Sequence, residues 1–260
     1  MEQICPLHEY DNTREAYIEP SMGRNIYLEE TIPSSAVFTF SGKLIEQLSK
    51  LESVKKIGYI ETQIEKSDIF KSEYAGKPFA FSQMPVGAAA AAIKLERLIA
   101  LGVNKIIVFG SAGVLNHEIS AGNILIPVSA VRDEGTSYHY LPPSREIEMN
   151  QEVVNSIVEI LEKHHIHYKK CKTWTTDAIF RETEKKVAKR KSEGCLTVDM
   201  ECSALLAISE FRKIKYGQLL YAQDSLGSIK WDPRDNWVMM ESHLAIEKMF
   251  FLAAEIATNL

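Results

Sequence analysis

Two carboxylates that interrupt apolar sequence are the residues of this chain best suited to chemistry. Asp199 and Glu201 stand in residues 197–205, where the neighbouring positions on both sides are mostly apolar. A charge in such surroundings is unfavourable unless another group pairs with it or hydrogen-bonds to it, so each acid is expected to have a partner. A third acid, Asp224, follows residues 217–222, an apolar run that predicts a buried strand. Because strand ends in α/β proteins assemble polar sites, we expect these carboxylates to form one.

Alternating strands and helices must position these acids. Apolar runs and periodicities predict strands at residues 36–40, 54–64, 78–84, 105–109, 123–128, 168–176 and 217–222. They predict helices at residues 44–51, 87–101, 152–164, 181–191, 204–208 and 241–258. Residues 1–33 contain three prolines and are expected to be loops with little regular structure. The strand–helix–strand order that leads to residues 105–109, a run typical of a central parallel strand, predicts an α/β fold.

The composition is that of a chain able to bury a large core. Of its 260 residues, 45% are hydrophobic and 25% are charged, which favours one α/β domain spanning 1–260. The formal net charge of -5 is unlike the basic balance of proteins that bind nucleic acids or anionic membranes, so neither partner is expected. The first residues lack the pattern of a signal peptide, and the longest alanine-rich run is too short to span a bilayer.

The four cysteines bear on the compartment and on metal binding. They are scattered and form no C-x-x-C pair, which indicates neither a zinc site nor a disulfide framework. Reduced thiols in the cytoplasm fit this pattern best. We therefore expect a cytoplasmic protein that holds no metal.

Two turns of small residues follow predicted strands and are candidate ligand sites. Residues 41–43, Ser-Gly-Lys, separate the first strand from its helix, where backbone N–H groups and Lys43 can meet an anion. An ordinary strand-to-helix turn explains the same pattern. Gly110, Ser111 and Gly113 follow a later strand and match neither a dinucleotide fingerprint nor a Walker loop. Their small size nevertheless lets a ligand approach the backbone closely.

Residues 130–140 concentrate polar and aromatic side chains between regular elements. The segment contains Arg132, Asp133 and Glu134 within three positions. Such density predicts a loop with a functional role. The alternative is a surface loop whose charges are simply paired and solvated.

Taken in order, these motifs resemble the nucleoside phosphorylase superfamily, the purine and uridine phosphorylase type that also includes nucleosidases. The segments that carry the resemblance are residues 105–113, 121–127, 198–201 and 221–224. Its most specific part is Met200-Glu201 with Asp224 about two dozen residues later, and residues 132–137 are similar to the uridine-phosphorylase-like branch. The resemblance implies a three-layer α/β/α fold with a central mixed sheet. It also implies a homo-oligomer, dimer to hexamer, that cleaves the N-glycosidic bond of a nucleoside, with inorganic phosphate as co-substrate and no cofactor.

The resemblance also implies roles for individual residues. Glu201 is expected to accept hydrogen bonds from the ribose 2′- and 3′-hydroxyls, Met200 to pack under the sugar, and Asp224 to assist departure of the base. The remaining substrate-binding residues implied are Asp177, Ile179, Phe180, Gly113 and Arg132, and the phosphate-binding residues are Gly110, Ser111 and Lys43. These roles suit the chemistry, because a carboxylate that holds the diol stabilises positive charge developing on the sugar. A protonated Asp224 can donate to a purine nitrogen as the bond breaks.

The phosphate site departs from the family pattern. The family's Gly-Asp-x-x-Arg loop corresponds to residues 39–43, which contain no aspartate and only Lys43 in place of arginine. The second arginine falls at Val108. Lysine supplies a point charge but not bidentate geometry, and valine supplies neither. The other sources of positive charge considered are Arg14, Arg24, Arg132 and a neighbouring subunit.

Three hypotheses on the reaction therefore stay open. The first is a nucleoside phosphorylase with a rearranged anion site. The second is a nucleosidase in which Asp133 or Glu134 activates water, and the third is a non-catalytic nucleoside-binding protein on the same fold. The base is open as well, because Asp224 favours a purine whereas residues 132–137 resemble the uridine branch. Two further possibilities are that His8 reaches a neighbouring site and that Arg234 pairs with Asp224.

Overall fold

The computed structural model describes residues 5–22, 25–63, 66–228, 230–240 and 242–260. Its strands are β1 (Ile26–Leu28), β2 (Ser35–Thr39), β3 (Lys55–Glu61), β4 (Lys66–Tyr74), β5 (Lys77–Gln83), β6 (Lys105–Val114), β7 (Ile124–Asp133), β8 (Glu146–Glu148), β9 (Tyr168–Thr176), β10 (Cys195–Asp199) and β11 (Lys215–Ser225). Its α-helices are α1 (Gly42–Leu48), α2 (Ala88–Ala100), α3 (Gln151–Lys163), α4 (Glu184–Ser192), α5 (Cys202–Arg212), α6 (Asp235–Met240) and α7 (Ser242–Asn259). Short 3-10 segments lie at Pro6–His8, Pro20–Met22, Thr136–His139 and Ile179–Arg181.

All of these strands belong to one mixed sheet. Its order is β1-β3-β4-β5-β2-β6-β10-β9-β7-β11, with β8 paired to β7. Strand β11 also pairs with β6, so β6, β10, β9, β7 and β11 close into a ring. The mixed α/β fold with a central mixed sheet confirms the prediction from sequence. Closure of the ring, which the sequence did not predict, brings the ends of β10 and β11 to the same strand, β6.

Helices pack around this sheet in two groups. Helix α7 packs against α1 and α3, whereas α2 packs against α5. Almost every side chain of helix α5 is buried, as expected for a helix that is apolar on nearly all sides. No helix within the described ranges is long and apolar enough to cross a membrane.

The strands missed from sequence are those made by pairing rather than by local composition. Strands β1, β4 and β8 and helix α6 were not predicted, and β1 lies in the region expected to be irregular. Strands β6 and β7 run longer than predicted, so Gly110, Ser111 and Gly113 belong to β6 and not to a turn after it. Neighbouring strands supply the backbone hydrogen bonds that keep small and polar residues extended.

Candidate active site

Asp199 is a structural acid at the start of helix α5. Its Oδ2 accepts a hydrogen bond from the backbone N–H of Cys202 at 2.9 Å, and its Oδ1 accepts one from Thr175 Oγ1 at 2.7 Å. Gln218 Nε2 lies 3.4 Å from Oδ2. Burial raises the pKa of Asp199 to about 6 against the effect of these donors. The expected partner of this acid is therefore the helix N-terminus together with a hydroxyl group.

Glu201 is buried with few partners. Its side chain accepts hydrogen bonds from backbone N–H groups, from Gly87 to Oε1 at 2.5 Å and from Met200. Within the described ranges no lysine, arginine or histidine side chain pairs with it. Burial raises its pKa to about 8, and the charge of Asp199 adds to the rise. A carboxyl group with unused lone pairs beside the half-buried Met200 can bind hydroxyl groups of a ligand.

A network of buried polar groups fixes the backbone beside Glu201. Ser203 donates its N–H to Thr175 Oγ1 at 3.0 Å and its hydroxyl to Glu134 Oε1 at 2.8 Å. The other oxygen of Glu134 accepts the N–H of Ser137 at 3.0 Å. Glu134 thus ties the 3-10 segment of residues 136–139 to helix α5, which accounts for its burial.

Asp133, the other acid predicted to activate water, also has hydrogen-bond partners within the protein. Its Oδ2 accepts the indole N–H of Trp174 at 2.9 Å. Lys186 Nζ and an Arg190 nitrogen lie 3.3 Å and 3.5 Å from the same oxygen. Arg190 stacks over Trp174 and is buried, although its helix α4 is otherwise the mostly exposed, basic helix predicted. Both acids proposed to activate water are therefore part of the framework.

Asp224 lies at the end of β11, next to the end of β10. Its Oδ2 accepts the indole N–H of Trp231 at 2.7 Å. A side chain at Gly113 would place its Cβ 3.4 Å from Asp224 Oδ1 and 3.0 Å from Val198. Since Gly113 in β6 pairs with Val198 in the neighbouring strand β10, Asp224 lies close to the strand that leads to Met200. Closure of the ring thus places Asp224 near Val198, in the strand that ends at Asp199.

The predicted base pocket contributes a different residue from the one expected. Phe180 is 96% exposed and Ile179 is 51% exposed, so neither side chain is packed into the core. Glu182 is half-buried, and burial raises its pKa to about 7. The charge of Asp224 contributes to the rise and Lys186 opposes it. Glu182 is therefore the residue of this segment that lies near Asp224.

Asp177 joins the base-pocket segment to the loop after β7. Its Oδ2 accepts the backbone N–H of Gly135 at 2.9 Å. The N-terminal segment 6–8 packs on the same loop, where the exposed His8 ring lies 6.1 Å from the ring of Tyr138. In the monomer these contacts are structural, and they set the position of the segment that ends at Glu182.

Arg132 is not brought to the candidate site. Its side chain is buried and stacks over Tyr138, with 4.3 Å between Cζ and the ring centroid. Its guanidinium donates hydrogen bonds to groups of its own loop, namely Ser137 Oγ, Pro142 O, Ser144 Oγ and Leu141 O. The residue predicted to bind substrate is thus used to hold the loop in shape.

The region expected to bind phosphate is partly apolar. A Cβ at Gly110 would lie 2.6 Å from the ring of Phe40, so the missing side chain leaves room for that ring. Val108 is fully buried in the core, whereas Ser111 is exposed. Lys43 is exposed in the first turn of α1. The space beside Gly110, predicted to let a ligand approach the backbone, is therefore occupied by the ring of Phe40.

The other cations considered from sequence are placed elsewhere. Arg14 donates to the carbonyl of Phe211 and stacks on its ring at 4.4 Å. Arg234 forms its ion pair with Asp232 at 3.9 Å and not with Asp224, whose hydrogen bond is to Trp231. Arg24 lies outside the described residues.

Four residues of the site were not assigned a role in it from the sequence, namely Phe40, Gly87, Glu182 and Trp231. Gly87 acts through its backbone N–H, which leaves no trace in residue type. Trp231 follows Asp224 by only seven residues. A large aromatic residue so soon after an acid at a strand end could have been predicted to contact that acid.

The chain was compared with known proteins. Residues 35–254 match the family model described as the phosphorylase superfamily. A uridine phosphorylase of Thermococcus kodakarensis is 31% identical over 108 residues, which are 42% of this chain and 39% of the relative. A guanosine phosphorylase of Halorubrum lacusprofundi is 22% identical over 162 residues, covering 61% of this chain and 66% of the relative. The matches thus span less than two thirds of either relative.

A solved structure shares the fold over almost the whole chain. It is a purine nucleoside phosphorylase from Toxoplasma gondii in complex with immucillin-H, with a TM-score of 0.76 and 18% identity. The similarity covers 89% of this chain and 92% of that one. The family match extends over most of the chain and includes all of the strands that close the ring. The chain therefore belongs to the phosphorylase superfamily.

Proposed function

We propose that this protein cleaves the N-glycosidic bond of a nucleoside by phosphorolysis, releasing the free base and (deoxy)ribose 1-phosphate. The observation that carries the proposal is the buried carboxyl group of Glu201, which is held by backbone N–H groups and lies next to Met200. The names of the relatives, a uridine and a guanosine phosphorylase, support the same reaction class.

The sugar half of the substrate is assigned to Glu201. A ribose diol offers two O–H donors to one carboxylate, and hydrogen bonds to a charged group contribute about 1.5–3 kcal/mol each. These donors favour the ionised form, whereas burial in the empty site favours the protonated form with its pKa of about 8. Nucleoside binding is therefore expected to remove the proton from Glu201.

The base half of the substrate is assigned to Asp224 and Glu182, and it favours a purine. A purine offers a ring nitrogen that can accept a proton from Asp224 as the glycosidic bond breaks. Recognition of a uracil edge needs hydrogen-bond donors as well as acceptors, but Arg132 is used inside its own loop and Glu182 is an acid. These contacts weigh against the pyrimidine alternative.

A second candidate function is hydrolysis. It is favoured by the ring of Phe40 beside Gly110 and by the buried Val108, which replace charged groups with apolar ones where phosphate is expected. Against it, Asp133 and Glu134 already accept hydrogen bonds from the framework. The two candidate reactions thus differ in their nucleophile, which is phosphate in phosphorolysis and water in hydrolysis.

Purified protein incubated with a panel of purine and pyrimidine nucleosides, with and without phosphate, tests the proposal. Chromatography is used to measure the released base and the sugar product. Ribose 1-phosphate that forms only with phosphate supports phosphorolysis, and free ribose in phosphate-free buffer supports hydrolysis. Binding without release of any base would leave only a nucleoside-binding protein.

We also propose the homo-oligomer that the family implies. Apolar side chains are exposed along one side of α2 and the N-terminal segment, namely Ile18, Met22, Val86 and Ile93. A patch of this kind is typical of subunit contacts. Light scattering coupled to gel filtration gives the mass in solution, and a monomer at micromolar concentration contradicts this proposal.

A further inference from the structure

Trp231 lies in the loop after β11, and its polar contact within the described residues is to Asp224 of the candidate site. Its Nε1 lies 2.7 Å from Asp224 Oδ2, while its side chain is 65% exposed. An exposed tryptophan is not there for burial in the core. The position of Trp231 instead allows its hydrogen bond to Asp224.

The loop that carries Trp231 is fastened back onto the strand. Ser225 and Asp232 exchange backbone hydrogen bonds, with N–O distances of 2.8 Å and 2.9 Å. Ser225 Oγ accepts the N–H of Gly227 at 3.2 Å. The residues on both sides of the loop are thereby fixed, so the indole is held beside Asp224.

We propose that Trp231 is a positioning residue for Asp224, an inference that rests on the proposed function. The indole N–H is a donor only, so the oxygen that it contacts, Oδ2, must accept. The proton that Asp224 gives to the leaving base is therefore carried by Oδ1. That oxygen lies beside Gly113, where a Cβ would be 3.4 Å from it and would also meet Leu226 at 2.8 Å and Val198 at 3.0 Å, so a side chain at this position would press on the acid.

The hydrogen bond becomes stronger as the reaction proceeds. The bond between C1′ and the base nitrogen breaks with its electron pair going to the base, the nucleophile bonds to C1′, and the proton on Oδ1 moves to a ring nitrogen of the base. Asp224 changes from a neutral acid to a carboxylate in that step. A donor bound to a charged oxygen interacts about twice as strongly as one bound to a neutral oxygen, so Trp231 stabilises the transition state more than the ground state.

The test compares two leaving groups. Purine nucleosides such as inosine and adenosine need a proton on the base, whereas 7-methylguanosine releases a base that is already alkylated at that nitrogen. Loss of one hydrogen bond to a developing charge corresponds to a decrease of roughly tenfold to a hundredfold. We expect Trp231→Phe to lower kcat by that factor for the purine nucleoside that wild type cleaves best, with little change in KM, and by less than about threefold for 7-methylguanosine.

Two variants serve as controls. Trp231→His keeps a ring N–H donor and is expected to recover most of the activity lost in Trp231→Phe. Trp237→Phe removes an indole from the same part of the chain, where the ring packs near Tyr221, and is expected to match wild type. Thermal unfolding of each variant shows whether the fold is intact.

The outcomes separate this inference from the proposed function. If wild type releases base but Trp231→Phe has unchanged kcat, or loses kcat equally on both leaving groups and is not rescued by Trp231→His, Trp231 does not position the acid. If wild type releases no base from any nucleoside, the proposed function fails and the positioning role fails with it.

Discussion

Two buried glutamates of this protein differ in how their charge is satisfied. Glu255 on helix α7 accepts hydrogen bonds from Tyr74, Lys163 and His164 at 2.6–2.7 Å. Burial opposes its ionisation, but these three donors outweigh burial and lower its pKa to about 2. Glu201 is bound by backbone N–H groups, and burial together with Asp199 raises its pKa to about 8.

The difference separates an acid that supports the fold from one that we propose binds the ribose. Glu255 joins α7 to β4 through Tyr74 and to the C-terminal end of α3 through Lys163 and His164. Glu201 is equally buried, and within the described part of the chain its hydrogen-bond donors are backbone N–H groups. A buried acid without matching donors costs stability, and such sites are typical of functional residues.

Replacing Glu201 is expected to have the largest effect on activity. Glu201→Gln keeps the size of the side chain but loses the charge that binds both ribose hydroxyls. We expect kcat/KM for nucleosides to fall by about two to four orders of magnitude. Glu255→Gln, a buried glutamate on another element, is the matched control and should remain within about threefold of wild type. Equal losses in the two variants would abolish the distinction between the acids.

Proton release on binding sharpens the comparison further. At pH 7 the empty site holds Glu201 largely protonated, because its pKa is about 8. Ribose hydroxyl groups favour the carboxylate, so binding should release close to one proton. Calorimetry in buffers of different ionisation enthalpy measures this number. Proton uptake on binding, or none, contradicts the assignment of the diol to Glu201.

The same acid is expected to make stability fall with rising pH. The folded pKa of Glu201 lies near 8 and its ordinary value is 4.5, so between these values the folded state holds more protons than the unfolded state. The contribution is fully present below pH 4.5 and is lost as pH rises to about 8. Glu201→Gln should therefore gain stability relative to wild type across this window, by a few kcal/mol at most. Urea unfolding at pH 5 and pH 8.5 checks the sign.

Glu255 should show the opposite pH dependence. Its folded pKa is lowered to about 2, so its contribution is present above pH 4.5 and is lost as pH falls towards 2. Glu255→Gln should destabilise the protein by about 1–2 kcal/mol at pH 7, since Lys163 and His164 are partly solvated and weaken the pairs. The deficit should shrink in acid. A deficit that grows as pH falls would show that Glu255 is not ionised in the fold.

The smallest expected effect concerns the backbone donor of Glu201. Gly87 has a φ of 98°, which is strained for residues with a side chain, although open space surrounds the position of its Cβ. Gly87→Ala should cost about 1–2 kcal/mol of stability from backbone strain. Gly76→Ala, at a φ of 76° in the open turn between β4 and β5, is the control for strain alone. Loss of nucleoside affinity in the first variant but not in the second would tie the Gly87 N–H to the site.

Parts of the candidate site could be anticipated from residue types. Asp199, Glu201 and Asp224 stand out because acids in apolar sequence need a reason to be there. The role of Glu201 in binding the ribose came from the resemblance, and it stays a prediction. Arg132 could not be judged in the same way, because a cation in a polar loop looks alike whether it meets a substrate or its own loop carbonyls.

Sequence alone determined the α/β class, the main helices and strands, and which acids are out of place, because these depend on local periodicity and on the cost of burying charge. Tertiary structure decided the rest. Ring closure, the Gly87 donor, the approach of Glu182 to Asp224 and the indole of Trp231 all join residues far apart or on different elements. The physical reason is that the pKa of an acid, and hence its role, depends on which donors the fold brings to it. Glu201 and Glu255 are the same residue type, and only their surroundings distinguish them.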